Sequence, residues 1–422
     1  MEKNKIKKAL LVLAFLAIVF IVGFFIWKVF FKQESIIPGK QKDPDKTIID
    51  GLPTSPDGTP IIDGTEPTKP INVSDDKPSS PQEAQQVEGV GDADQIAVGG
   101  ITKTTTIVES KTMEPTLGRD GGSVQFYNKD DGKFYLVNDE GDLIPLSDKV
   151  FHNVSDVEWA PNKTKAVIEY PDQTKIIYDF STSKQVTLPK HWEDFTFSPD
   201  SEKLVNKSLG IDPDNRWLVV SNSDGTQTKK LEHIGENDKW VIPSWSPNTQ
   251  SVGMYTQGVD ANRREVFFIG EYGQNFKSTI VEGWGFQPQW SQDGDKLLYS
   301  VYSPKDNLKP KIWIVNASGN NIGTDRRSLQ LETWAEKCTF ASDSEVYCAV
   351  PKELDEMAGM FPELALRTSD DLYKINIETG SKTLVAVPDQ AYNISSIVID
   401  KNQENLFFTD YTTGQIHKID LQ

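Results

Sequence analysis

Tryptophan and arginine are the side chains of this sequence whose spacing best suits ligand binding. Planar aromatic rings beside guanidinium groups suit sugars, carboxylates and acidic polymers. The alternative is that the tryptophans are buried between repeats, as repeated tryptophans usually are, and that the arginines balance acidic side chains. We expect the candidate residues to gather on the one face of the fold that carries the longer loops, and they are Trp192, Trp240, Trp284, Trp334, Arg216, Arg263, Arg264, Arg326 and Arg327.

Residues that could carry catalysis or bind a metal form no known pattern. The four histidines, His152, His191, His233 and His417, are far apart and lack metal-site spacing. Carboxylates at residues 128–132 and 212–215 resemble calcium loops, but both segments lack the distal glutamate and suit hairpin turns. No G-x-S-x-G nucleophile elbow is present. We therefore predict no catalytic residue, no metal site and no cofactor.

Two cysteines lie on either side of a predicted hairpin turn. Cys338 and Cys348 are equally distant from Asp343, so antiparallel pairing around that residue would place them opposite each other. In an oxidising compartment they could form a disulfide. An equally good interpretation is a pair of buried free thiols in neighbouring strands.

The overall charge limits the classes of partner. The chain has 422 residues and a formal net charge of −18 at pH 7. Binding to nucleic acid requires a basic surface that neutralises phosphates, so we expect no nucleic-acid partner.

The N-terminal segment has the composition of a membrane anchor. Residues 9–31 are apolar apart from Lys28, and a helix of this length crosses a hydrocarbon core of about 30 Å. A cleaved signal peptide would need an apolar core of about 7–15 residues and a small-residue cleavage site. Lysines are concentrated in residues 1–8. This bias predicts a cytoplasmic tail at 1–8, a single span in the lipid bilayer of the cytoplasmic membrane, and the remaining chain outside.

The next segment, residues 32–100, has the composition of a disordered stalk. It is rich in proline, glycine, aspartate, serine and threonine, it contains no aromatic residue, and it shows neither the helical nor the strand period. Such a sequence cannot bury enough apolar surface to offset the entropy of ordering it. We expect it to hold the following domain away from the bilayer.

The rest of the chain, residues 101–422, contains an internal repeat. A tryptophan or phenylalanine is followed by a polar turn, such as Ser-Pro-Asp after Phe197, and then by β-rich runs. These anchors are Trp159, Phe197, Trp245, Trp290 and Phe340, about 40–50 residues apart. This spacing fits one four-stranded blade for each repeat. With one degenerate repeat at each end, the pattern predicts an all-β, seven-bladed β-propeller.

The last repeat is one strand short, so the ring needs another segment to close it. Its third strand ends at about residue 419, and the isolated β-rich segment at 101–108 precedes the first blade. Because an open sheet edge is a liability, we predict that 101–108 completes blade 7.

The Trp/Phe-Ser-Pro-Asp pattern resembles the repeats of TolB-like and related WD-repeat-like bacterial surface propellers. The resemblance covers roughly residues 110–422 and implies the fold but no particular function. TolB-like proteins carry another domain where this chain has its anchor and stalk. Their partner-binding segments therefore cannot be transferred.

Long loops on one face of the ring are the expected recognition elements. The longest includes Leu354, Met357, Phe361 and Leu364 at near-helical spacing, which suits a docking helix or a segment that packs on its own blade. We predict a non-enzymatic scaffold whose top face binds a protein or an anionic or sugar polymer of the envelope. The alternative is a lyase or glycosidase built on the propeller, for which two facing carboxylates would be diagnostic.

Overall fold

The computed structural model describes residues 93–422, and these residues form seven β-sheets arranged as the blades of a propeller. The predicted all-β, seven-bladed architecture is confirmed. Two short strands precede the blades, β1 (Ile101–Thr102) and β2 (Thr105–Val108). Within each blade, successive strands pair with antiparallel neighbours.

The first four blades contain four strands each. Blade 1 consists of β3 (Thr112–Leu117), β4 (Val124–Asn128), β5 (Lys133–Val137) and β6 (Leu143–Pro145). Blade 2 consists of β7 (Asp156–Trp159), β8 (Lys165–Glu169), β9 (Lys175–Asp179) and β10 (Lys184–Leu188). Blade 3 consists of β11 (Trp192–Phe197), β12 (Lys203–Leu209), β13 (Arg216–Asn222) and β14 (Lys229–His233). Blade 4 consists of β15 (Val241–Pro243), β16 (Gly253–Gly258), β17 (Arg263–Ile269) and β18 (Thr279–Glu282).

The remaining blades complete the ring. Blade 5 consists of β19 (Trp284–Trp290), β20 (Lys296–Tyr302), β21 (Pro310–Asn316) and β22 (Arg327–Ser328). Blade 6 consists of β23 (Cys338–Phe340), β24 (Glu345–Pro351), β25 (Asp370–Asn376) and β26 (Lys382–Pro388). Blade 7 consists of β27 (Ile394–Ile399), β28 (Asn405–Asp410) and β29 (Ile416–Asp420), together with β2. Short 3-10 helices occupy Pro213–Asn215, Gly235–Trp240, Pro304–Asp306, Gly319–Asn321, Ala335–Lys337 and Pro362–Arg367.

Apolar clusters fill the gaps between neighbouring blades. Trp192 and Phe197 of blade 3, for example, pack against Ile177 of blade 2. The ring is continuous, because similar clusters join blade 6 to blade 7 and blade 7 to blade 1. The first strand of each blade is the innermost, since first strands such as β3, β7 and β11 contact one another.

The repeated motif forms the turn between the first two strands of a blade. The Ser198 hydroxyl is bonded to Asp200 and accepts a bond from the Lys203 amide at 2.9 Å. The equivalent turn in blade 5 repeats these bonds and is joined to blade 6, because the Asp293 amide donates to Asp343 at 2.9 Å. The anchor rings also join blades, since the Trp290 indole donates to the Ser244 hydroxyl at 2.9 Å.

Ring closure differs in part from the sequence prediction. Strand β2 pairs with β29 and is the outermost strand of blade 7, as expected. Strand β1 instead pairs in parallel with β26 of blade 6, because the chain crosses from one blade to the next between the two strands. Close to the predicted end of the stalk, the Ala97 amide donates to the Asp420 carbonyl at 2.9 Å.

The predicted span at 9–31 and most of the predicted stalk lie outside the described residues. Within residues 93–422, no helix is both long and apolar enough to cross a membrane.

Candidate functional site

The loops between the second and third strands of each blade, together with the connections between blades, form one face of the ring, which we call the top face. Four of these loops are 210–215, 259–262, 303–309 and 352–369. The opposite face carries the repeated turns. The longest of these loops, 352–369, therefore lies on the top face.

A cavity of about 520 Å³ opens on the top face between blades 4 and 5. We call it the blade 4–5 cavity. It brings together three of the residues proposed from the sequence, Trp240, Arg264 and Trp284. Tyr302 from β20 and Met360 from the 352–369 loop complete its wall.

Arg264 is the central charge of this cavity. Its guanidinium carbon lies 3.9 Å from the centroid of the Trp240 ring, so the two planar groups are in contact. One terminal nitrogen donates to the carbonyl and hydroxyl oxygens of Thr256 at 3.2 and 3.3 Å. Burial lowers the pKa of Arg264, but a guanidinium remains protonated at neutral pH.

The hydrogen-bonding capacity of Arg264 is not fully used. Its Nε is buried and has no hydrogen-bond partner among residues 93–422, and in the same range Arg264 makes no ion pair with a carboxylate. The neighbouring Arg263 points to the other side of β17, is exposed, and forms an ion pair with Asp260 at 2.7 Å. Because Nε is enclosed by the protein, a ligand in the cavity would meet the terminal nitrogens of the guanidinium, one of which makes no hydrogen bond within residues 93–422.

Aromatic rings and a second cation surround the guanidinium. The ammonium of Lys239 lies 5.1 Å from the centroid of Trp240. Across the cavity, the Trp284 and Tyr302 rings have centroids 6.1 Å apart. The bulge after Trp284 depends on Gly285 at φ 66°, where a β-carbon would lie 2.4 Å from the Tyr302 ring. The cavity is therefore cationic and aromatic, and the shape of its Trp284–Tyr302 wall depends on Gly285.

The other proposed residues lie elsewhere. Trp192 is buried between blades 2 and 3, and Trp334 is buried beneath the 352–369 loop against Ala358 and Ala365. These two tryptophans follow the structural alternative weighed from the sequence. Arg216 lies at the top of β13, where it donates to the Gly210 carbonyl at 3.0 Å and pairs with Asp238.

Arg326 and Arg327 do not belong to the top face, which corrects the placement expected from the sequence. Arg327 begins β22, the outermost strand of blade 5, and Arg326 immediately precedes it. Arg326 donates to the Ile280 carbonyl of blade 4 at 2.8 Å. Arg327 bonds to backbone carbonyls at residues 377–378 of blade 6. Both arginines therefore connect blades on the outside of the ring.

A group of carboxylates at the channel mouth was not identified from the sequence. Glu114, Asp156, Glu158 and Asp194 lie on the innermost strands of blades 1 to 3. Burial and the charges of Asp156 and Glu114 raise the pKa of Glu158 to about 8. Burial and the charge of Asp156 raise the pKa of Glu114 to about 7. At neutral pH the carboxyls of Glu114 and Glu158 are therefore protonated for much of the time.

Partial signals for this group exist in the sequence. Asp156 and Glu158 alternate with Val157 and Trp159, which is the pattern of a strand with one polar face. Glu114 and Asp194 lie at bulges, with φ of 47° and 54°, and a bulge disrupts the alternation. Three of these carboxylates, at 156, 158 and 194, line a cavity of about 430 Å³.

His417 and the two cysteines occupy structural positions. His417 is buried in β29, and its Nδ1 is 3.0 Å from the Thr106 hydroxyl of the closing strand. Over residues 93–422, no group of three or more histidine, cysteine, aspartate or glutamate side chains is arranged to hold a metal ion. Cys338 and Cys348 are directly paired in β23 and β24 and form a disulfide.

Comparisons with known proteins identify the fold but no family. The sequence matches no protein-family model and no curated protein. Among solved structures, the β-propeller domain of Cps50 (Swd1) from Myceliophteria thermophila has a TM-score of 0.50 and 12% sequence identity, covering 76% of this chain and 100% of that chain. An oligogalacturonate lyase from Vibrio parahaemolyticus has a TM-score of 0.50 and 12% identity, covering 76% of this chain and 93% of that chain. At this identity the similarity is one of fold alone.

Proposed function

We propose that this protein is a non-enzymatic binding scaffold, tethered to the cytoplasmic membrane by residues 9–31, whose propeller lies outside the cell membrane and binds an anionic ligand in the blade 4–5 cavity. The observation that carries the proposal is the incompletely bonded guanidinium of Arg264 in an aromatic cavity. The Trp/Phe-Ser-Pro-Asp repeats support placing the domain among TolB-like propellers, and the apolar span and its flanking lysines support the tether.

The physical argument rests on hydrogen bonding in a partly dehydrated site. A carboxylate or similar anion would accept bonds from the unused donors of Arg264 and would be attracted by Lys239. The rings of Trp284 and Tyr302 would cover its apolar part. A hydrogen bond to a charged group contributes roughly 1.5–3 kcal/mol, so the guanidinium should account for about 10–150-fold in affinity.

The test compares neighbouring arginines on one strand. The full chain in detergent is titrated by calorimetry with short poly-L-glutamate and with oligogalacturonate, two carboxylate ligands of different backbone chemistry. We expect Arg264→Gln to weaken binding of at least one ligand by about 10-fold or more. The matched control Arg263→Gln should bind as the original protein does, because Arg263 faces away and is paired with Asp260. Equal affinities for both variants would refute this role of the cavity.

A second candidate is a carbohydrate-active enzyme acting at the channel mouth. The observation in its favour is that Glu114 and Glu158 have raised pKa values and share one channel mouth, so either could donate or accept a proton near neutral pH. The assay is incubation with pectic and other acidic polysaccharides, with product detected by reducing ends and ultraviolet absorbance. Turnover that is lost in Glu158→Gln but retained in Arg264→Gln would favour the enzyme over the scaffold.

A further inference from the structure

The loop at residues 352–369 presents an exposed row of apolar side chains on the top face. Met357, Met360 and Phe361 are each 41% exposed, and Leu366 is 43% exposed. We call these four residues the apolar ridge. The sequence pattern suggested a docking helix or a self-packed segment. The structure instead has a 3-10 helix at Pro362–Arg367, with Leu364 turned inward and the ridge outward.

The ridge is held in place by its own blades. Ala358 and Ala365 are buried against Trp334 beneath the loop. The Gly359 amide donates to the Leu308 carbonyl at 2.8 Å, and the Asn393 amide group donates to the Ala365 carbonyl at 2.6 Å. The loop is therefore fixed to blades 5 and 7, and the exposure of the ridge is a property of the folded structure.

The ridge separates two cavities on the top face. Met360, at one end, forms part of the wall of the blade 4–5 cavity. Leu366, at the other end, lines a second cavity of about 480 Å³ together with Tyr411, which is 59% exposed. A raised apolar element between two cavities offers a shape that apolar side chains of a partner can cover and interlock with.

The charges around the ridge have both signs. Arg264 and Lys239 make the blade 4–5 cavity cationic. The loop itself carries four exposed carboxylates, at Glu353, Asp355, Glu356 and Glu363. A long polysaccharide with carboxylates throughout, or an anionic membrane surface, would be repelled by these four groups wherever it extended beyond the blade 4–5 cavity and over the ridge. A polysaccharide also lacks side chains that would bury Met357 and Phe361.

We infer that the partner at this surface is a protein segment that places apolar side chains on the ridge and a carboxylate in the blade 4–5 cavity. This inference rests on the proposed function and specifies its ligand class. A protein surface combines apolar side chains with charges of both signs at short distances, which matches what the ridge and its surroundings present. Burial of the ridge supplies affinity, and the ion pair with Arg264 sets the register of the segment.

The test uses displayed random linear peptides panned against the full chain in detergent. We expect enrichment of sequences in which a large apolar residue accompanies aspartate, glutamate or a free C-terminus. Binding of a selected peptide should weaken about 10-fold or more in Phe361→Ser and in Arg264→Gln. The controls are Arg263→Gln and Ile211→Ser, which alters a fully exposed apolar residue on another top-face loop, and both should bind normally. All substituted side chains are solvent-exposed or at the surface of the cavity, and thermal melts verify folding.

The outcomes separate this inference from the function on which it rests. If the affinity for carboxylate ligands depends on Arg264 and no ligand's affinity depends on Phe361, the anion-binding function stands and the inference of a protein partner is overturned. Binding of phosphatidylglycerol in mixed detergent micelles by the full chain, lost in Phe361→Ser, would replace the protein by a lipid surface. If the original protein enriches peptides no more strongly than Phe361→Ser does, the inference is overturned directly. If no anion depends on Arg264, the proposed function fails as well.

Discussion

The disulfide between Cys338 and Cys348 should make the stability of the ring depend on redox conditions. The bond joins β23 to β24 across the innermost edge of blade 6, with a sequence separation of 10. For a closed loop of this size, the loss of chain entropy in the unfolded state corresponds to about 3 kcal/mol of stabilisation. Both cysteines are buried in the cluster between blades 5 and 6, so reduction also leaves two thiols in a packed core.

The assay is thermal unfolding with and without a phosphine reductant. For a domain of this size, about 3 kcal/mol corresponds to a fall of about 4 °C in Tm. The variant with both Cys338→Ala and Cys348→Ala is the control, because its Tm should not respond to the reductant. Thiol titration of unfolded, unreduced protein should find no free thiol. Two titratable thiols there, or an unchanged Tm after complete reduction, would refute the reasoning.

Three further predictions concern the channel, the closure and the cavity. Glu158→Gln should raise Tm at pH 9 and leave it nearly unchanged at pH 4, as thermal melts across this pH range would show. Folding raises the pKa of Glu158 from 4.5 to about 8. The stability that comes from its proton is therefore complete below the unfolded-state pKa and is lost as the pH rises through the folded-state pKa. Val108→Asp should cost about 4 kcal/mol in urea unfolding, whereas Thr105→Asp, exposed on the same strand, should cost under about 1 kcal/mol. Gly285→Ala should lower Tm and weaken carboxylate binding, since its β-carbon would meet Tyr302; unchanged calorimetric affinity would contradict this account of the cavity.

The fold was predictable because its determinants are local and repeated. Each anchor ring precedes a short turn built from residues such as serine, proline, asparagine and aspartate, so counting anchors such as Trp245 and Trp290 counts blades. The pairing of Cys338 with Cys348 likewise follows from their equal distance from one turn residue. Such features can be predicted from the order of residues along a single blade.

The remaining features depend on contacts between blades. The division of 101–108 into two strands arises where Thr104 bonds to Asp389 at 2.6 Å and the chain passes from blade 6 to blade 7. The positions of Arg326 and Arg327 depend on a long connection before β22, whose path the residue pattern does not fix. Within the described part of the chain, Arg263 forms an ion pair and Arg264 does not, because the two side chains lie on opposite sides of β17. The sequence alone does not show which side of the strand offers a carboxylate partner.

The way in which the ring closes also determines when folding can finish. Strand β2 is made early in synthesis, yet its partner β29 is made some three hundred residues later, as the pairing of Thr106 with His417 shows. Until then β2 and the open side of blade 1 have no neighbours, and a ribosome or export channel must release nearly the entire domain first. Blades can form one by one during synthesis, but β2 and β29 pair only afterwards. The last step of maturation is therefore a single long-range docking event, which is slow and sensitive to C-terminal truncation.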